Sequence, residues 1–249
     1  EGALRTSVVF RCWGRQMTDS SIVSPRASAG VKAIGTTKPA LTAATVDGFY
    51  LVVGKRLLDI LLVLLLAPLA LPLILLASLA LWIEGGNPFY HQDRLGRHGE
   101  RFRIYKLRTM VRNADKMLET CLAKDPELRA EWDATQKLKK DPRITRIGAL
   151  LRKTSLDELP QLWNVLTGEM SLIGPRPMLP EQLPLYGDAS YYFALRPGIT
   201  GSWQVSARNE DLFTQRVGMD QSYAEDLSPW RDMVILFKTV GVVLRRTGY

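Results

Sequence analysis

Two adjacent carboxylates, Asp157 and Glu158, stand in the run Ser155-Leu156-Asp157-Glu158-Leu159-Pro160. Such a pair can do chemistry on phosphate esters. One carboxylate oxygen can attack phosphorus and form a phosphoaspartate. The other can help hold a metal ion that neutralises phosphate charge. A plainer reading competes. Ser155 with Glu158 fits a capping box, and acids are favoured in the first turn of a helix. On this run alone the plainer reading takes precedence. Pro160 leaves the helix start open, because proline prefers the first helical position.

The rest of the chain narrows the options. It holds only two histidines, His91 and His98, and two distant cysteines, Cys12 and Cys121. A Ser-His-Asp or Cys-His mechanism would have to draw on one of those histidines. The cysteines show neither CxxC spacing nor a His-rich ligand pattern, which disfavours a zinc site or a disulfide framework. Acid–base work therefore falls to carboxylates. The formal charge of +8 favours polyanionic partners, whether nucleic acid, phosphorylated substrates or an anionic membrane surface. Lys106, Arg108, Arg146, Arg152, Arg176 and Arg208 are the candidate cations. Surface Arg and Lys are usually solvated, but Gly174-Pro175-Arg176-Pro177 is different. Two prolines stiffen the backbone around one arginine and present its guanidinium at low entropic cost, which suits bidentate phosphate binding. Arg196-Pro197-Gly198-Ile199-Thr200-Gly201 reads as a second positioned turn.

The elements that must hold these residues divide the 249-residue chain into three parts. Residues 1–46 lack periodicity and are rich in small polar residues, so disorder or loose packing is expected. The first residue is not Met, Met17 is a candidate natural start, and no apolar run precedes residue 47, so the segment makes a poor signal peptide. Residues 47–84 carry a membrane element: between Ile60 and Ile83 there is no charged residue, a length that can cross a hydrocarbon core. Pro68 and Pro72 sit mid-segment, each removing a backbone donor, and predict a kink. Basic residues flank both ends, whereas a spanning helix concentrates them on one side. Asp59 lies one turn inside the apolar run. A re-entrant hairpin satisfies all three features, and a single kinked transmembrane helix is the alternative.

Residues 85–249 form the candidate catalytic domain. Gly85-Gly86-Asn87-Pro88 ends the membrane element. Short strands are predicted at Phe89-Tyr90 and Phe102–Leu107 around a Gly96–Gly99 turn. A polar helix is predicted over 112–139, broken by Asp141-Pro142, then helices over 143–153 and 156–167, the last ended by Gly168. A proline-rich irregular stretch follows. Pro229–Arg246 reads as an amphipathic helix, either on the membrane interface or packed on the core. The fold class is mainly α with minor β, in a monotopic membrane protein.

The run KRLLD, the long apolar segment, YKLRTM, DPRITRIGALLRKTSLDELPQLWNVLTGEMSLIGPRP and RPGITGSWQVSARN resemble the bacterial monotopic phosphoglycosyl transferases, the initiating sugar transferases of exopolysaccharide and O-antigen synthesis. The resemblance covers about residues 50–249. It implies a re-entrant helix that anchors a catalytic domain to the cytoplasmic face of the inner membrane. It also implies a Mg2+ cofactor and transfer of a hexose-1-phosphate, galactose or glucose favoured, from a UDP-sugar to undecaprenyl phosphate. By motif, Asp157 resembles the nucleophile and Glu158 its acidic partner in metal or proton handling. Arg152, Arg176 and Arg208 match arginines around the phosphate, and Arg108 a basic position in YKxRTM. One departure is that relatives break the helix at Ser-Pro, where this chain has Leu71-Pro72 and the extra Pro68. Two rival functions remain. A phosphodiesterase or phosphatase using the same acids would need no lipid acceptor. A membrane-anchored scaffold of polysaccharide assembly would need neither acid. Nucleic-acid binding is disfavoured, since the cations follow no recognisable binding module. The sequence leaves the sugar and the oligomeric state open, a homodimer included.

Overall fold

A computed structural model describes residues 48–135, 138, 140–206 and 213–245. Residues 1–46 and Arg208 lie outside them. The chain enters through a π-helical turn, Tyr50–Gly54, that runs into α1, Lys55–Gly85. Leucine-rich sequence favours helix, and α1 stays helical through Pro68 and Pro72; the prolines do not end it. Only 11% of its most apolar stretch is buried, so most of its leucines face outward, as a lipid-embedded helix requires.

Both ends of α1 are fastened to the rest of the domain. At the first end Lys55, Asp59 and Val63 are buried. Asp59 accepts hydrogen bonds from Ser171 Oγ at 3.0 Å and from the Leu172 amide at 2.9 Å. At the second end Leu81 is fully buried with Leu107 and Leu151, and Thr145 donates to Glu84 at 3.1 Å. The helix is thus held to the domain near both ends, and Ala70 at its middle is buried as well.

The strands β1, Phe89–Leu95, and β2, Arg101–Leu107, pair antiparallel around the expected glycine turn. The polar region forms two helices rather than one: α2, Ala114–Lys124, and α3, Pro126–Thr135. Pro126 cannot continue α2 and instead opens α3, while Asp125 accepts from the amides of Glu127 and Leu128. Then follow α4, Arg146–Thr154, and α5, Gln161–Thr167. Gly168, at φ 90°, closes α5 in the left-handed conformation that glycine tolerates.

The proline-rich stretch is more ordered than its composition suggests. It holds β3, Ser171–Ile173, the short helices α6, Leu183–Tyr186, and α7, Ser190–Ala194, then β4, Gly198–Thr200, and α8, Ser202–Ser206. β3 and β4 pair in parallel. Two long helices complete the chain, α9, Phe213–Glu225, and α10, Pro229–Leu244. The principal core gathers Tyr50 and Val63 with Ile104, Val165, Ile173 and Tyr223, so the membrane helix is part of the domain's own core.

Candidate active site

The carboxylate pair does not sit in a capping box. Thr145, not Ser155, caps a helix here, accepting from the Gly148 amide at 2.9 Å. Ser155 closes α4 with φ 57° and makes no side-chain cap, a conformation uncommon for a residue other than glycine. That left-handed residue turns the chain sharply into a 3-10 turn, Leu156–Glu158, ahead of α5. Asp157 is thereby buried, at 8% exposure. Glu158 accepts instead from Lys106 Nζ of β2 at 2.7 Å.

Asn164 explains why β2 and this turn meet. Fully buried on α5, it accepts from the Tyr105 amide at 3.1 Å and donates to the Arg103 carbonyl at 2.7 Å. The side-chain amide thus substitutes for a missing strand neighbour and fixes α5 along β2. Nothing in the sequence pattern distinguishes Asn164 from an ordinary polar helix residue.

Burial pushes the Asp157 carboxyl up to about 6, and the neighbouring Glu158 adds to the rise; Lys106 and Arg152 pull it down. Arg152 projects from the last turn of α4, where its Nε donates to Thr109 Oγ1 at 2.8 Å. Three of the predicted cations, Lys106, Arg152 and Arg176, therefore lie around the acids. Arg176 lines a narrow polar cleft with Glu158, Lys106, Gln161 and Arg94, and its guanidinium stands 5.9 Å from the Trp203 ring centre. Arg108 is placed elsewhere: its Nη2 donates to the Leu81 carbonyl at 3.1 Å, on the last turns of α1, where a cation satisfies orphan carbonyls.

The loop bearing Arg176 is set by glycines. A Cβ on Gly174 would lie 2.3 Å from the Arg196 carbonyl oxygen, and one on Gly198 would lie 2.1 Å from the Gly174 nitrogen. The two proline-flanked motifs thus pack backbone against backbone, bonded from Gly174 N to Thr200 O at 2.9 Å and from Gly198 N to Pro175 O at 2.8 Å.

On its other side the same turn borders an apolar groove of about 430 Å³, a size typical of ligand sites. Leu159, Pro160 and Trp163 form one wall; Ala70, Leu71 and Ile74 of α1 form the opposite one. Residues 158–163 therefore divide a cationic cleft from a lipid-like groove.

Asp157 and Glu158 would be the carboxylates to hold a magnesium ion, which commonly takes one or two and completes its shell with phosphate oxygens and water; in this structure Glu158 is bonded to Lys106. Among the described residues no group of three or more His, Cys, Asp or Glu side chains is placed to hold a metal ion.

The bacterial sugar transferase family matches residues 50–246. Over 195 residues, 78% of this chain, it is 51% identical to a UDP-galactose-lipid carrier transferase of Erwinia amylovora. Over a stretch of the same length it is 48% identical to an undecaprenyl-phosphate galactose phosphotransferase of Salmonella typhimurium. The chain spans 41% of the length of each of these two relatives. It is 44% identical over 202 residues to the exopolysaccharide production protein ExoY of Rhizobium meliloti, covering 79% of this chain and 88% of that protein. A match running through the anchor helix, the acidic turn and both proline-flanked loops establishes that the chain belongs to the bacterial sugar transferases.

Proposed function

We propose that this protein transfers a hexose-1-phosphate, galactose or glucose, from a UDP-sugar to undecaprenyl phosphate through a phosphosugar attached to Asp157. The observation that carries this reading is the course of the acidic turn: Asp157 is buried next to Glu158, which lines one space, and the residues that follow, Leu159 and Pro160, line a second, unlike one. One is a narrow cleft lined by arginine and lysine, cations that pair with phosphate oxygens. The other is an apolar groove walled by the membrane helix, suited to a polyprenyl chain. A nucleotide-sugar and a lipid phosphate can each present a phosphorus to the same carboxylate.

In the first half-reaction an Asp157 oxygen attacks the sugar-linked phosphorus. The bond from that phosphorus to the bridging oxygen breaks, and UMP departs with the electron pair. In the second, a phosphate oxygen of the lipid attacks the same phosphorus. The Asp157–phosphorus bond breaks, the carboxylate is restored, and a polyprenyl diphosphate sugar is released. Arg152 and Lys106 favour the ionised nucleophile that the attack needs. Arg176 supplies charge to the phosphate, and Arg208 is assigned a matching role from the motif. A magnesium ion held by Asp157 and Glu158 would screen the diphosphate and improve UMP as a leaving group. Most of the acceleration comes from positioning and fixed charge.

The anchoring of α1 supports a monotopic arrangement at the cytoplasmic face of the inner membrane. A spanning helix separates its ends by a hydrocarbon core of about 30 Å; here both ends dock on one domain.

The test uses UDP-galactose labelled in its β-phosphate and sugar, with magnesium and no acceptor. Label on Asp157 and release of UMP are expected, followed by discharge on adding undecaprenyl phosphate. Asp157→Asn abolishes both. Release of free sugar phosphate without an acceptor requirement would identify a phosphodiesterase. Full in-cell polysaccharide assembly by Asp157→Asn would identify a scaffold.

A further inference from the structure

We propose that Gln161 and Arg94 form a slot for one non-bridging oxygen of the phosphoryl group in transit, and act on it in both half-reactions. The role rests on the transfer reading above.

Gln161 begins α5, four residues after Asp157. It is 2% exposed, and its Nε2 is buried without a hydrogen-bond partner. Leaving such a donor unpaired is costly, and native proteins rarely do so without a reason. Arg94 repeats the pattern from the opposite wall. Its Nη1 donates to the Pro177 carbonyl at 3.1 Å and its Nη2 to Gln92 Oε1 at 2.7 Å, which locks the guanidinium plane. Its remaining donor, Nε, is buried without a partner. Both side chains line the cleft that also holds Glu158, Lys106 and Arg176. Two buried donors without partners thus belong to side chains that border one space.

The space measures about 10 Å³. That is room for about one oxygen atom or one water, and not for a whole phosphate group. The fit is to a single phosphoryl oxygen pointing inward while the phosphorus stays outside, within reach of the acids. Charge argues in the same direction. Burial, with the nearby Arg176 and Arg216, lowers the Arg94 pKa to about 10. An anion entering the slot relieves that mutual repulsion.

A donor pair serving the phosphoryl group differs from one serving the nucleotide. UMP is gone before the second half-reaction, but the phosphoryl group takes part in both. Removing the Gln161 donor should therefore slow enzyme labelling by a UDP-sugar and also its discharge by lipid phosphate. A loss on the order of 10²-fold in each is expected, as for a single donor to a developing oxyanion.

The experiment uses the full chain in detergent with magnesium. Parent, Gln161→Met, Gln161→Glu and Arg94→Lys are compared in thermal stability, in the rate of labelling by UDP-galactose and in the rate of discharge by undecaprenyl phosphate. Calorimetric binding of inorganic pyrophosphate provides a readout that needs no turnover. Slowing of both half-reactions with pyrophosphate binding weakened about tenfold, at parental melting temperature, supports the slot. A lower melting temperature with parental rates and parental pyrophosphate affinity means that the space holds a structural water, and the proposal falls. A defect confined to the labelling step overturns it too. If Gln161→Met does not fold, Gln161→Glu decides: it keeps the shape but presents an oxygen, so parental pyrophosphate binding by that variant refutes the slot. Should even the parent fail to label, the transfer reading fails, while the pyrophosphate comparison still judges the slot.

Discussion

Lys106 and Glu158, 2.7 Å apart, act on Asp157 in opposite senses. Of the cations that hold Asp157 down against burial and against Glu158, Lys106 exerts the larger pull and Arg152 the smaller. Replacing Lys106 by Met removes that pull, so the Asp157 pKa rises further above its ordinary value. Because the nucleophile must be ionised, activity then falls away at a higher pH. The acid limb of kcat/KM for UDP-galactose, measured against pH at one magnesium concentration, should move upward in Lys106→Met and return toward the parent in Lys106→Arg. A uniform loss with an unmoved limb would show that Lys106 binds substrate without tuning Asp157. The acids and Arg176 were legible in the sequence because their neighbours were unusual: a doubled carboxylate, and an arginine between prolines. The capping-box reading failed because spacing reports residue types and not backbone conformation, and Ser155 is left-handed. Gln161, Arg94 and Asn164 were illegible because their significance lies in which hydrogen bonds they make or lack, and those partners are distant in sequence.

The membrane helix is held at its first end by a buried charge cluster. Lys55 Nζ donates to Asp232 Oδ2 at 2.5 Å and to the Tyr223 hydroxyl at 3.0 Å. The hydroxyls of Tyr50 and Tyr223 donate to the same carboxylate, each at 2.6 Å. Asp232 is fully buried. Lys55→Met strands that carboxylate without its cation and should cost about 3–5 kcal/mol, read as a lower midpoint in denaturant. Lys55→Met with Asp232→Leu removes both charges and should recover part of the loss. No recovery would mean that the hydrogen bonds to the tyrosines outweigh the ion pair. At the second end, Arg108→Met loses the bond to Leu81. It should lower the melting temperature and speed proteolysis near residue 86, while the KM for UDP-galactose stays within about twofold, the scatter of small surface effects. A large rise in KM would return Arg108 to the phosphate site. The long elements here were readable from composition and turn residues: α1, the β1–β2 hairpin, α4 and α10. β3 and β4 were not, since three-residue strands carry no periodicity and exist because Gly174 and Gly198 let two backbones touch.

At the scale of the whole molecule, the proposed activity depends on where the acidic turn sits relative to the bilayer. The apolar groove is walled by α1, so a lipid tail reaches it only if α1 lies in the same leaflet as the lipid phosphate. A helix of 31 residues would measure roughly 46 Å if straight, at about 1.5 Å per residue. Lys55 near its first end and Leu81 near its second are both packed against the domain. Pro68 and Pro72, each lacking a backbone donor, are the places where the helix yields most readily. Gly48 and Glu100 are exposed and lie beyond the two ends. Single cysteines at these positions, in a background without Cys12 and Cys121, should both be shielded from an impermeant reagent in intact spheroplasts and both react after permeabilisation. Replacing Pro68 and Pro72 together with Ala should make the cysteine at position 48 reachable from outside in part of the population, with labelling of Asp157 reduced in proportion. If position 48 is reached from outside in the parent, α1 spans the membrane, and the groove cannot receive lipid in the way its position between α1 and the acidic turn suggests. If the double substitution leaves topology and labelling unchanged, the return of α1 to its own domain is enforced by the Lys55 and Leu81 contacts alone, and the prolines are passengers.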